Sequence, residues 1–181
     1  NMSTTIILKH NDTTGNAPIT LAHGETAINI ADQKMWVGDS SNSPILLVQT
    51  NPAFVVEPTS VSATAATGTV NYDVGTQSVV YYTSNASANW TLNLRWNSST
   101  TLDSQLSTGE NVTVAFMVTQ GATAYYNNVL KIDGTTVTPV WQGGAAPTAG
   151  NPSSVDVYTY SIIKTASATF TVLAAGPLNY A

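Results

Sequence analysis

Ten carboxylates, two histidines and no cysteine are the conventional catalytic and metal-binding groups of this 181-residue chain. A metal site needs His, Cys or carboxylates gathered at ligand spacing. His10 and His23 lie in or beside loops, far apart in sequence, and read as solvated polar residues. The run Asn11–Asn16 (NDTTGN) has one carboxylate and no glutamate at the EF-hand position, so it reads as an Asx turn. Nucleophilic hydrolysis needs a serine against a base, and no Gly-x-Ser-x-Gly elbow occurs. Glycoside cleavage needs two carboxylates across a sugar. Asp133 is more simply the first residue of a turn, and Asp156 falls on the outer face of a strand. No catalytic residue is assigned, no metal or other cofactor is expected, and the chain does not read as an enzyme.

Neutral recognition is the chemistry this composition suits best. Aromatic rings offer flat faces to sugars, and Asn, Gln and Thr supply uncharged hydrogen bonds. Tyr125 and Tyr126 follow Gly121, and Trp141 precedes Gln142-Gly143-Gly144; all three are aromatics next to loops and stand as candidate receptor contacts. The competing assignment packs Trp141 in the core and divides the tyrosines between core and subunit interface.

The elements that must position these residues are strands. Charged residues make up 8% of the chain, against about 25% in ordinary soluble proteins, while Val, Ile, Thr and aromatics are plentiful. Ordered β structure with a neutral polar surface, or a surface covered by other subunits, fits that balance better than disorder. A net charge of −5 with five scattered cations offers no stripe for phosphates, so nucleic-acid binding is not expected. No apolar run approaches the ~18 residues of a membrane span, so membrane insertion is not expected either.

Two segments alternate cleanly. Trp90, Leu92, Leu94 and Trp96 share one face of Asn89–Trp96; Val112, Val114, Phe116 and Val118 share one face of Asn111–Thr119. Further strands are expected at Ser60–Ala65, Thr69–Asp73, Ser78–Thr83, Asn128–Ile132, Thr136–Trp141, Val155–Ile163 and Thr169–Leu173. Asp133-Gly134 predicts a two-residue hairpin turn. Val155–Ile163 has apolar residues on both faces and predicts a central strand. Prolines 52 and 58 mark a linker, Asn51–Pro58. The expected architecture is all-β: an N-terminal module over residues 1–58, then an antiparallel two-sheet sandwich of jelly-roll type over 59–181.

The N-terminal module centres on Leu21–Asp39 (LAHGETAINIADQKMWVGD), a tight hairpin turning at Ala31–Lys34, with Ile45–Gln49 as a third strand and Thr4–Lys9 as another short one. Thr26, Ile28 and Ile30 alternate with Glu25, Ala27 and Asn29. A ribbon this small has little core of its own, so Ile28, Ile30, Trp36 and Val37 are expected to contact sister subunits or an anchoring surface.

The order Leu8-Lys9, then Leu21–Asn29 (LAHGETAIN), then Ala31–Trp36 (ADQKMW) resembles the N-terminal module of tailed-phage fibre proteins. Their recurring form is Gly-Glu, alternating Ala/Ile/Asn, then Ala-Asp-Gly-Lys and an aromatic; here Gln33 takes the place of the usual glycine. Residues 119–144 and 155–175 resemble a β domain of phage fibres, notably cyanobacterial ones. The resemblance implies a structural virion protein, made in the host cytoplasm and carried on the particle. It implies a homotrimer that contacts other virion proteins of the tail, baseplate or capsid and displays the sandwich to a host-surface glycan. A capsid-decorating or tail-assembly protein without a receptor role is the alternative, and a glycan depolymerase a third.

Overall fold

The computed structural model of the chain describes residues 7–49 and 57–181. It is an all-β protein with one short helix. Two compact units are present, residues 1–56 and 57–181. Most of the expected linker, residues 51–56, lies outside the described residues, as does the start of the expected Thr4–Lys9 strand.

Unit 1 is a four-stranded ribbon in the order β1 (Lys9–Asn11), β2 (Thr26–Asn29), β3 (Lys34–Gly38), β4 (Pro44–Gln49). The extra strand, β1, lies parallel to β2. Cross-strand pairing sets Ala27 opposite Trp36 and Thr26 opposite Val37. Direct partners share a face. Trp36 therefore sits on the Ala27 face, away from Ile28 and Val37.

The expectation that one ribbon cannot cover Trp36 is overturned here. Trp36 is 8% exposed and packs in a small core with Leu21 and Ala27. The chain before the hairpin supplies the cover: Leu21 donates its amide to the Asn42 carbonyl, which draws that segment over the ribbon. Gly38 makes room, since a Cβ there would collide with the Leu21 and Ala22 carbonyl oxygens. Ile28 and Val37 are half-buried on the opposite face, and Ile30 is 55% exposed.

Asn29 ties the loops to this ribbon. Its buried side chain donates to the Thr13 and Asn16 carbonyls, both at 2.8 Å, and accepts from the Asp32 amide at 3.0 Å. The Asp32 carboxylate reaches across to the Gly15 amide, and the Asn11 side chain accepts from the Thr13 amide. The NDTTGN loop is thus closed by Asx bonding and pinned to the hairpin turn. At that turn Gln33 adopts φ 53°, the left-handed conformation for which glycine is the usual residue.

Unit 2 is built from three β-arches. β5 (Thr59–Ala65) and β6 (Gly68–Asp73) form the first, β7 (Val79–Ser84) and β8 (Trp90–Arg95) the second, β9 (Asn111–Thr119) and β10 (Asn127–Ile132) the third. The first strand of each arch joins one sheet and the second joins the other, so ladders run between arches: β5 with β7, β7 with β9, β6 with β8 and β8 with β10, all parallel. β11 (Thr135–Val137) extends the smaller sheet to β11-β10-β8-β6. β12 (Val140–Trp141), β13 (Val155–Ala166) and β14 (Thr169–Tyr180) extend the larger to β12-β14-β13-β9-β7-β5.

The antiparallel jelly-roll expectation does not describe this pairing. Only β10–β11, β13–β14 and β13–β9 are antiparallel in unit 2. Alternation reveals which residues face a core but not which strand lies alongside. The expected Thr136–Trp141 strand breaks at Pro139, which has no amide to donate, and its halves enter different sheets. The hairpin at Asp133-Gly134 does form, with φ 50° and 81° at its two turn residues. β13 is central, between β9 and β14.

Between the sheets lie Trp90, Leu92, Leu94, Phe116, Tyr158, Tyr160 and their neighbours, all fully buried. Tyr72 crosses this core to donate to the Ala115 carbonyl in the opposite sheet. Along the outer face of the smaller sheet, Asn93 donates to Asn71 at 2.8 Å and accepts from the Gly134 amide, while Arg95 pairs with Asp73. The Asn71–Asn93 and Asp73–Arg95 contacts join neighbouring strands of the stack at matched register, and the Gly134 bond ties the hairpin turn to β8. The short helix α1 (Leu102–Gln105) is held by the Asp133 carboxylate, which accepts from the Leu102 and Asp103 amides, and by Lys164, which bonds the Leu106 carbonyl and the Asp103 carboxylate.

Two measurements check this architecture. Asn29→Ala removes three hydrogen bonds of a buried amide and is expected to destabilise unit 1 by about 2 kcal/mol, read as earlier loss of the Trp36 signal in urea. Burial raises Tyr72, Tyr82, Tyr158 and Tyr160 above the ordinary tyrosine pKa of 10.0. Below that pH the folded and unfolded phenols are both neutral. Above it the unfolded chain releases protons that the folded chain retains, so stability falls as pH rises past about 10. Phenolate absorbance should show Tyr72, Tyr158 and Tyr160, the fully buried three, ionising only together with loss of the near-ultraviolet circular dichroism.

Candidate binding cleft around Trp141

β12 is only two residues long, yet it pairs in parallel with β14, Val140 opposite Leu173 and Trp141 opposite Ala174. The chain then turns through Gln142–Gly144, where Gly143 and Gly144 both take positive φ. This turn leaves Trp141 half-buried at the sandwich margin.

Its mounting is aromatic throughout. The indole stands edge-on to Tyr160 at 6.2 Å; Tyr160 stacks on Tyr158 at 6.4 Å; Tyr158 meets Trp90 edge-on at 5.9 Å. Trp90 continues to Phe116 and Phe116 to Tyr82. Such pairs add about 0.5–1.5 kcal/mol each beyond area burial, so the surface indole is fixed to the core through a chain of rings. Trp90 Nε1 is the one buried side-chain polar atom without a hydrogen-bond partner among the described residues.

Two clefts share Trp141. One, of about 220 Å³, is lined by residues 127–130, 136–139, 146 and 147 together with the indole. The other, a shallower one of about 400 Å³, lies along Val140, Gln142, Thr159, Ser161 and Leu173–Ala175. Neither has a charged residue in its lining. The first has a buried polar anchor in Asn127, which donates to the Trp90 and Val129 carbonyls and accepts from the Tyr160 hydroxyl at 3.0 Å.

The other candidate aromatics lie elsewhere. Tyr125 is clamped by its main chain: Gln120 Nε2 donates to its carbonyl at 2.7 Å, and its amide donates to Gln120 Oε1 at 3.0 Å. The Tyr126 amide donates to Asn89. Both rings pack partly against the core, and neither lines the Trp141 clefts. In unit 1, His10 Nδ1 lies 3.1 Å from the Leu8 carbonyl oxygen and His23 is exposed. Among the described residues no three His, Cys or carboxylate groups gather as a metal site, and no helix is long and apolar enough to cross a membrane.

Asp156 corrects its sequence assignment. It lies on the core face of β13 and is fully buried, not on the outer face. Its carboxylate accepts from Gln120 Nε2 at 3.0 Å, the Asn151 amide at 3.0 Å and Asn151 Nδ2 at 2.6 Å. These bonds fasten the 120–126 loop to the 150–154 loop. Gly150 fits between them, since a Cβ there would collide with the Tyr125 carbonyl oxygen. Sequence reasoning missed this group because the strand pattern assigns alternate residues to the two faces without showing what would satisfy a buried carboxylate.

No family model, no curated protein and no solved structure matches this chain.

Asp156→Ala strands the side chains of Gln120 and Asn151 and is expected to lower the stability of unit 2 by about 3 kcal/mol, measured as the shift of its urea transition.

Proposed function

We propose that the chain is a structural component of a phage particle of the tail-fibre kind, in which unit 1 joins copies into a trimer or docks on other virion proteins and unit 2 is displayed to the host surface. The reading draws on the resemblance of the Leu8–Trp36 pattern, and one structural observation carries it furthest. β4 is an edge strand, and its four consecutive apolar residues, Ile45, Leu46, Leu47 and Val48, are all exposed. A long apolar edge without a charge or an interior proline is a surface that proteins normally cover.

The pairing of β4 with β3 favours a contact through side chains. Register skips Leu47 between Leu46 and Val48, leaving it as the extra residue of a bulge. A bulge interrupts a free ladder, so the partner meets side chains here rather than adding a strand. Ile28 and Val37, half-buried on the face away from Trp36, and Ile30 are the further contact residues. Trp36 supports the contact from inside its own unit. A capsid-decorating role uses the same surface without host binding.

Light scattering at micromolar concentration should report a trimer, and Leu47→Glu, placed on an exposed side chain, should shift it to monomer with unchanged circular dichroism. A monomeric wild-type chain refutes the assembly. Host cells that adsorb no labelled trimer point to the decorating role instead.

A further inference from the structure

We infer that the smaller Trp141 cleft is a subsite for a single uncharged pyranose ring, with the indole as its apolar wall. The inference rests on the display role given to unit 2 above and names the ligand class and residues of that surface.

The first argument is hydrogen-bonding supply. Most neutral polar side chains around the sandwich core are consumed internally: Asn71 with Asn93, Gln120 with Tyr125 and Asp156, Asn127 with Trp90 and Tyr160. Asn128, Thr136 and Thr138, on the rim of the cleft, are exposed, and their side chains make no hydrogen bond within the described residues. Donors and acceptors of uncharged kind thus cluster around one half-buried ring without internal work to do. A sugar hydroxyl both donates and accepts and can use either.

Charge is the second argument. Neither Trp141 cleft is lined by a charged residue, and the desolvated base of the smaller one offers a carboxylate or sulfate no cation. Bringing an ionised group into such a site is costly, whereas a neutral ring pays only for hydroxyls that the rim can satisfy. Size gives the third. At about 220 Å³ the cleft falls below the roughly 300–1,000 Å³ of sites for drug-sized ligands, which suits one ring rather than an extended chain. The stacked Tyr160–Tyr158 mounting and the fixed Asn127 supply a wall that needs no reordering on binding, which limits the entropic cost.

The full chain has four tryptophans and hence four indole N–H signals in a nitrogen–proton correlation spectrum. Methyl α-glucopyranoside, methyl α-mannopyranoside and methyl β-galactopyranoside are titrated separately, with glucuronate as the charged comparison. The Trp141 signal should move saturably with at least one methyl glycoside, with Kd on the order of 1 mM, and glucuronate should bind at least about tenfold more weakly. Trp141→Ala should abolish the saturation transfer from protein to glycoside protons that the wild type shows, while the other three indole signals remain dispersed as in the folded chain. Asn128→Ala and Thr138→Ala alter exposed rim side chains and should weaken binding several-fold even if Trp141→Ala perturbs the fold. The inference is overturned if no glycoside moves the Trp141 signal, if glucuronate binds as tightly, or if the three variants bind as wild type. A trimer that binds no glycoside refutes the subsite alone; a monomer that does bind one refutes the assembly and leaves the subsite standing.

Discussion

Each arch of unit 2 sends its two strands into opposite sheets, so neither strand bonds to its own partner; the ladders form with the neighbouring arch and, beyond the third arch, with β11 and β13. This constraint explains the parallel pairings, and with them most of the structure. The stack repeats one register: Val70, Leu92 and Leu130 lie side by side, as do Tyr72 and Leu94. Apolar rows therefore form a continuous wall on the inside, and polar residues form matching rows outside. Asn71 meets Asn93, and Asp73 meets Arg95, because register places like positions together. Without that register neither the core nor the outer bonds would align.

A chain with so few charges must fasten its loops by other means, and buried neutral amides take that part. Asn29 holds the loop of unit 1 to its hairpin, Asn127 joins the third arch to Tyr160, and Gln120 grips both Tyr125 and Asp156. An amide both donates and accepts, so one side chain satisfies several backbone groups without the desolvation cost of an ion. Ion pairs are correspondingly few, three among the described residues. The pair of Lys164 with Asp103 anchors a helix of one turn, and the Lys164 contact holds the Asp103 carboxyl below its usual range.

The apolar surface is divided unequally. Trp36, Leu21 and Ala27 close a small core within unit 1, while Ile45–Val48 remain uncovered along its edge. In unit 2 the large rings pack inward, and Trp141 alone of the three candidate aromatics reaches a pair of clefts. The proposed roles follow that division, with apolar edge residues serving assembly and a ring among unpaired neutral groups serving recognition.

Strand content, the alternating faces of β8 and β9, the central place of β13 and the Asp133-Gly134 turn were legible in the sequence, because each depends on residues within a few positions of one another. Trp141 could be singled out as an aromatic beside a glycine turn on the same local grounds. Which strands became neighbours, and hence parallel rather than antiparallel sheets, was not legible, since a period of two is the same whichever strand lies alongside. The burial of Trp36 depended on Leu21 folding back over the ribbon, and that of Asp156 on partners from two separate loops. Local chemistry chose the strands and their faces; only tertiary packing, which brings distant segments to the same buried polar group or the same ring, decided what each face would meet.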